Sequence, residues 1–218
     1  MTELLVAPCS YEAAKFAILK WHYSQRMPKS KNNYFGAWEG GDFVGAVMYG
    51  SGANAGLVSP YGLDQTEGCE LVRVALRKHK VPVSQIVAET LRQLKKANPG
   101  LRVVVSFADP EHSHHGGIYQ AGNWLYTGRS TPSDEYIVNG KRWQGRALRV
   151  SRSGHPRGDV PAKNTLEWAQ KVLDPNARVV PGSSKHRYVY PLDRQIRRRL
   201  TTLALPYPQP ADEGSTVS

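Results

Sequence analysis

The chain of 218 residues has only two cysteines, Cys9 and Cys69. That is too few for a disulfide framework or a cysteine-built zinc site, so both read as free thiols, Cys69 within a strand. There is no apolar run long enough to span a bilayer, and no early apolar segment followed by a small-residue cleavage site. The expectation is a soluble intracellular protein. No stretch repeats at a fixed period, which excludes a solenoid or propeller. Acidic residues are the scarce charge: 18 Asp and Glu stand against 29 Lys and Arg, a net charge of +11. The surplus is +4 in residues 1–109 and +7 in residues 110–218. A field of that sign draws polyanions, nucleic acid first among them. At 40% hydrophobic and 9% aromatic residues, a globular core is expected.

Helical spacing of Ala14, Ala17, Ile18 and Trp21 after a capping Ser10 predicts a helix ending near His22–Tyr23. Glu39-Gly40-Gly41-Asp42 and Asn139-Gly140 each sit between β-rich arms and read as hairpin turns. Residues 69–76 read as a strand. Ser84 is expected to cap a helix running to about Ala97, stopped by Asn98-Pro99-Gly100. Residues 101–109, "LRVVVSFAD", are apolar enough for a strand buried on both faces. A short helix at 116–122 and a strand at 124–129 follow. Strand, helix and strand at the centre predict an α/β domain with mixed strand directions. The pattern weakens after residue 153, where a basic arm, a short helix at "TLEWAQKVL" and the basic, aromatic "KHRYVYPLDRQIRRRL" precede a polar tail. The expected division is therefore 1–152 as the catalytic domain, 153–207 as a basic extension packing on that domain or on DNA, and 208–218 as a disordered tail.

Titratable chemistry gathers where the central strand ends. Asp109 lies at a strand C-terminus, where ligands bind in open α/β sheets; the bland role for it is a helix N-cap. His112, His114 and His115 follow within six residues. Three imidazoles with Asp109 could bind a transition metal, and with His22 they approach a two-histidine, one-carboxylate set suited to iron. Otherwise they are a proton relay or phosphate contacts. Arg73 lies mid-strand between apolar neighbours and needs an anionic partner: Asp109, Glu70 or a phosphate. Two basic groups read as a nucleic-acid footprint: Arg26, Lys29 and Lys31, then Lys185, Arg187, Arg194, Arg197, Arg198 and Arg199 with Tyr188 and Tyr190 interleaved.

The element order, and "GIYQAGNWLYTG" in particular, resembles the GNAT acyltransferases, where a short helix with a pattern like "LYxxxGF" precedes a final strand. The resemblance implies a GNAT-like mixed central sheet flanked by helices. It implies Tyr119 as the acid for a departing thiolate, and an acetyl-CoA-type donor lying along Val74 and Leu76. In that family a glycine-rich loop after the fourth strand holds the donor's pyrophosphate. Here the loop is "RKHKVPVS", without glycine, leaving Lys78, Lys80 and the helix start at Ser84 to attract phosphate.

"WHYSQRMP", "GSGAN", "CELVRVAL", "NPGLRVVVSFADP", "HHGGIYQAGNW" and "KHRYVYPLD", in that order, resemble the Mom family of phage DNA-modification proteins over roughly residues 15–207. That resemblance implies a GNAT-like transferase acting on adenine N6 in duplex DNA within an infected host cell. In the best-known member the product is N6-carbamoylmethyl adenine, which blocks host restriction. It also implies His22–Tyr23 as active-site residues. The chemistry agrees in direction. An exocyclic amine is a poor nucleophile and needs a base or electrophile held close, and N6 inside a duplex must be flipped out. Trp21, Tyr23, Phe107 and Trp124 are the rings available to stack on a flipped base. Two other classes stay open: an ordinary acetyltransferase acting on a protein or small-molecule amine without DNA, and a non-catalytic DNA-binding protein on the same fold. Oligomeric state is open, a homodimer included.

Overall fold

A computed structural model describes residues 3–28, 32–52, 56–110 and 115–209. The chain folds into two compact units: residues 1–108, 115–128 and 186–218, and residues 109–114 and 129–185. The expected cut at residue 152 is therefore replaced by a discontinuous one. The chain leaves the first unit at the end of a central strand, rejoins it for residues 115–128, leaves again, and returns at residue 186 with another strand of the same sheet.

The first unit is built on a seven-stranded sheet in the order β1-β2-β3-β4-β5-β10-β6. The strands are β1 (Leu4–Pro8), β2 (Asn32–Glu39), β3 (Asp42–Gly50), β4 (Gly68–Leu76), β5 (Val103–Ala108), β6 (Leu125–Arg129) and β10 (His186–Pro191). β4 and β5 are parallel and joined through α2 (Val83–Ala97), whereas β1–β2, β2–β3, β3–β4 and β5–β10 are antiparallel. This is the mixed-direction α/β sheet flanked by helices that the sequence predicts.

The β2–β3 turn falls where Gly40 and Gly41 supply positive φ values of 59° and 90°. α1 (Tyr11–Trp21) starts at Ser10, whose hydroxyl accepts from the Ala13 N–H at 3.1 Å, and it buries Ala14, Ala17 and Ile18 against Ala46, Met48 and Ala75. α2 covers the same sheet with Ile86, Val87, Leu91 and Leu94. It begins two residues earlier than expected. Pro82 holds the N-cap position, and Ser84 lies in the first turn without capping it.

β10 explains why the C-terminal segment is apolar as well as basic. It lies between β5 and β6, with Tyr188 and Val189 fully buried. α6 (Arg194–Thr201) follows, capped by Asp193, which accepts from the Ile196 N–H at 2.8 Å. Ile196 and Leu200 pack it on Val103, Val105 and Val189.

The second unit has a three-stranded sheet, β8-β7-β9, from β7 (Asp134–Val138), β8 (Lys141–Gln144) and β9 (Arg178–Pro181). Asn139 (φ 49°) and Gly140 (φ 70°) form the predicted β7–β8 turn. α4 (Gly145–Ser153) and α5 (Thr165–Val172) enclose its core of Val138, Leu148, Trp168, Ala169 and Ala177. No helix among the described residues is long and apolar enough to cross a membrane. Of the segment 208–218 expected to be a tail, residues 210–218 lie outside the described residues.

Candidate active site

The β4–β5 ladder runs only from the Gly68–Val103 pair to the Glu70–Val105 pair, although β4 continues to Leu76 and β5 to Ala108. β4 also carries an irregularity: Met48 faces Arg73 but Tyr49 faces Leu71, so Val72 is an extra residue. Bulges of this kind re-aim side chains beside sites. Where the ladder stops, the buried Ser106 hydroxyl bridges the two strands. It donates to the Leu71 carbonyl at 2.8 Å and meets the Tyr119 hydroxyl at 2.8 Å.

Tyr119 reaches Ser106 from α3 (Gly117–Ala121). That helix starts at Gly116 with φ 89°, and a Cβ there would lie 2.3 Å from the Tyr188 ring, so only glycine fits. The Tyr119 ring packs on Trp124 and on Tyr188, with centroids 5.1 Å away in each case. Burial pushes its phenol up to about 12. The group therefore stays protonated at neutral pH and can give a proton but not take one. The Ser106–Leu71 link ends on a backbone carbonyl, which has no proton to pass on. It positions Tyr119 rather than relaying from it.

Tyr23, Glu70 and Arg73 belong to the same neighbourhood. Tyr23 and Glu70 act electrostatically on both Arg73 and Tyr119. One Arg73 nitrogen donates to the Val72 carbonyl at 2.7 Å, while its buried Nε has no hydrogen-bond partner among the described residues. Burial lowers the Arg73 pKa, and the Tyr23 hydroxyl and Glu70 carboxylate oppose that effect. A buried guanidinium N–H without an acceptor is costly, and an incoming oxygen would relieve it.

His22 and Tyr23 follow α1. His22 is 8% exposed, and its Nδ1 receives the Ser24 N–H at 3.1 Å and lies 2.8 Å from the Ser24 hydroxyl. A nitrogen that accepts a backbone N–H carries no proton, which places the ring proton on Nε2. The Tyr23 ring lies 4.3 Å from that of His22 and is 56% exposed. Of the other stacking candidates, Trp124 is interior, and Phe107 and Trp21 are half-buried. Trp124 is 1% exposed, Phe107 packs with Val103 and Val105, and Trp21 packs against Phe16 and Phe43.

Asp109 belongs to the second unit. Its carboxylate takes the Lys185 ammonium at 3.0 Å and lies 3.4 Å from the Ser183 hydroxyl. The His115 carbonyl accepts from the Tyr188 hydroxyl at 2.5 Å and from Gln120 at 3.2 Å. His112 and His114 lie outside the described residues. Among the described residues no group of three or more His, Cys, Asp or Glu could hold a metal ion. Asp109 is paired to Lys185, and His22 Nδ1 is held by Ser24.

Val74 and Leu76, expected to line a donor, are half-buried and pack against the core. Loop 77–82 brings Lys78 and Lys80 to the start of α2, but the N–H groups of Lys80 and Val81 donate to the Glu39 carboxylate. Sequence reasoning missed Glu39, which it read only as the start of a hairpin turn.

The basic set also divides. Arg26, Arg194, Arg198 and Arg199 are exposed; Lys29 and Lys31 lie outside the described residues. Lys185 pairs with Asp109. Arg187 donates to Thr127 through Nε at 3.2 Å and to its carbonyl at 3.1 Å. Arg199 donates to the Tyr61 carbonyl, and Arg197 lies over the Tyr190 ring at 5.4 Å. Tyr188 is core, because β10 is an interior strand.

Comparison with known proteins places this architecture. Residues 3–209 match the model of the Mom protein family. The chain is similar to the methylcarbamoylase mom of Escherichia phage Mu, 28% identical over 214 residues, covering 95% of this chain and 84% of that protein. Among solved structures, spermidine/spermine N-acetyltransferase SpeG from Vibrio cholerae is 8% identical with a TM-score of 0.47, over 90% of this chain and 96% of that one. FeeM, an N-acyl amino acid synthase from uncultured soil microbes, is 9% identical with a TM-score of 0.46, over 93% and 97%. The chain spans about half, 48%, of a tandem GNAT protein from the clavulanic acid biosynthesis pathway, over 62% of its own length, at 11% identity and a TM-score of 0.40.

Proposed function

Since the chain belongs to the Mom protein family, we propose that it is a transferase that converts adenine N6 in duplex DNA to a carbamoylmethyl derivative, protecting phage DNA from host restriction. The observation that carries this reading is the likeness, over 95% of the chain, to a methylcarbamoylase. The net charge of +11 supports duplex DNA as the partner. The cytoplasm of the infected host is the compartment in which that DNA is met.

The reaction forms an N6–carbon bond, expels a leaving group from the donor's methylene carbon and releases one N6 proton. The target base has to leave the stack, and Tyr23, the exposed ring beside His22, is the surface offered to it. Arg73 offers its Nε–H to an oxygen of the bound donor. Tyr119, protonated at working pH, supplies a proton to the leaving group. His22, with Nδ1 accepting from Ser24, presents its other nitrogen as a donor.

Mass spectrometry of nucleosides from cells expressing the chain tests this reading. A modified deoxyadenosine is expected, together with resistance at adenine-containing restriction sites. An unchanged nucleoside profile from well-expressed, folded protein counts against it. Turnover of a free amine without DNA would then favour an ordinary acetyltransferase, and salt-dependent DNA affinity alone a non-catalytic binder.

A further inference from the structure

Loop 77–82 connects β4 to α2, the place where the acyltransferase resemblance puts the pyrophosphate of coenzyme A. Free backbone N–H groups at a helix start attract such an anion. In the loop just before that helix start, the N–H groups of Lys80 and Val81 are already engaged. Lys80 N–H donates to both oxygens of Glu39, each at 3.0 Å, and Val81 N–H donates to one of them at 2.7 Å. α2 has no side-chain cap of its own, since Pro82 at its N-cap offers neither an acceptor side chain nor an N–H. Glu39 instead occupies the loop just ahead of the helix, 41 and 42 positions upstream of the two N–H groups it accepts.

The arrangement is held from several sides. Glu39 ends β2, paired with Leu4 of β1 and Asp42 of β3. The next residue, Gly40, donates to the Glu3 carbonyl at 2.9 Å. The loop is tied to the same hairpin: Arg77 donates to the Phe43 carbonyl at 3.0 Å and pairs with Asp42 at 3.6 Å. His79 Nδ1 lies 2.6 Å from the Arg77 carbonyl. The Val81 N–H, then that of Lys80, and the charges of His79 and Lys80 hold the Glu39 carboxyl below the usual range, so the occupant is an anion at neutral pH. A pyrophosphate arriving here meets one negative charge on the donors it needs, and like charges on shared donors repel.

We propose that the donor of this reaction is not carried on coenzyme A seated at loop 77–82: Glu39 takes the place of the pyrophosphate, and the donor is a compound held without a pyrophosphate handle there. This rests on the transferase reading above and concerns how its donor is held.

Titration calorimetry of the full chain with coenzyme A and, separately, with inorganic pyrophosphate tests it. Wild-type protein is expected to give no saturable heat with either probe. Glu39→Ala frees both N–H groups and is expected to bind pyrophosphate at least about tenfold tighter than wild type, one decade in Kd. Glu39→Gln keeps an acceptor oxygen and loses the charge, so its gain should be smaller. Thermal melts establish that each variant is folded. Saturable one-to-one binding of coenzyme A by wild type overturns the proposal. So does a folded Glu39→Ala that gains no affinity for pyrophosphate, since the carboxylate would then not be what blocks the loop. Nucleosides from the expressing cells are read separately. Modified adenine from a chain blind to coenzyme A supports both readings. A chain blind to coenzyme A without modified adenine sinks the transferase reading alone.

Discussion

Tyr119 carries two demands that separate by experiment. As scaffold it contributes one hydrogen bond to Ser106 and packing on two rings. As an acid it contributes a proton. Tyr119→Phe keeps the rings packed and removes only the hydroxyl. Modification is expected to fall by ~10²–10⁴-fold, while stability falls by about 1 kcal/mol. A melt that drops while the rate per folded molecule holds would return Tyr119 to the scaffold. The sign of its shift predicts the pH behaviour. A phenol raised to about 12 binds its proton better folded than unfolded. Its stabilising share is thus complete below about 10, the ordinary phenol value, and is lost as pH climbs towards 12. The modification rate should therefore show no loss of the Tyr119 proton between pH 7 and about 10.

Asp109 meets the same kind of test through its partner. Lys185→Met breaks the 3.0 Å pair as surely as Asp109→Asn does. If the pair is structural, both variants lose a similar ~1 kcal/mol and modify DNA alike. A dead Asp109→Asn beside an active Lys185→Met would instead make Asp109 a chemical group.

At the scale of elements, α6 shows how a charge run is sorted by a helix. Ile196 and Leu200 bury one face. With 100° per residue, Arg197 and Arg199 flank that face and reach back to Tyr190 and Tyr61. Arg194 and Arg198 point the other way and are exposed. Arg194→Glu with Arg198→Glu should weaken DNA binding across sequences with an unchanged melting temperature. For every phosphate no longer neutralised, the log–log salt slope should drop by about 0.9 in magnitude. Arg199→Ala should also lower the melting temperature, since it leaves the Tyr61 carbonyl without its donor. An unaltered salt slope in the double variant would remove this helix from the DNA surface.

At the scale of the whole molecule, the two compact units are filled by separate hydrophobic clusters. Trp168 is fully buried in the second, where its indole N–H donates to the Arg157 carbonyl at 2.9 Å. Trp168→Ala should cost roughly 3–5 kcal/mol there. Hydrogen exchange should then show protection lost in residues 129–185 and kept in β3, β4 and β5, because local unfolding follows cooperative units. Loss spread evenly over both units would mean that they unfold as one.

The features legible in the chain alone were local ones. Ser10 before an apolar periodicity, Gly40-Gly41 and Asn139-Gly140 between β-rich arms, and the apolar run of β5 are signals complete within a few residues, and the elements stand where those signals put them. The family pattern belongs to the same class, since it is a pattern in one dimension. Tertiary structure decided whatever depends on partners distant in sequence. Asp109 meets Lys185 across seventy-six positions, Glu39 meets Val81 across forty-two, and Ser106 joins Leu71 to Tyr119. β10 enters the main sheet between β5 and β6 only after the whole second unit has intervened. A lysine that reads as a phosphate contact becomes half of an ion pair, and a turn glutamate becomes the acceptor for two N–H groups of a distant loop. The physical reason is that a side chain's chemistry is set by what lies within about 4 Å of it, and for a charged group that neighbour is chosen by the fold rather than by the adjacent residues.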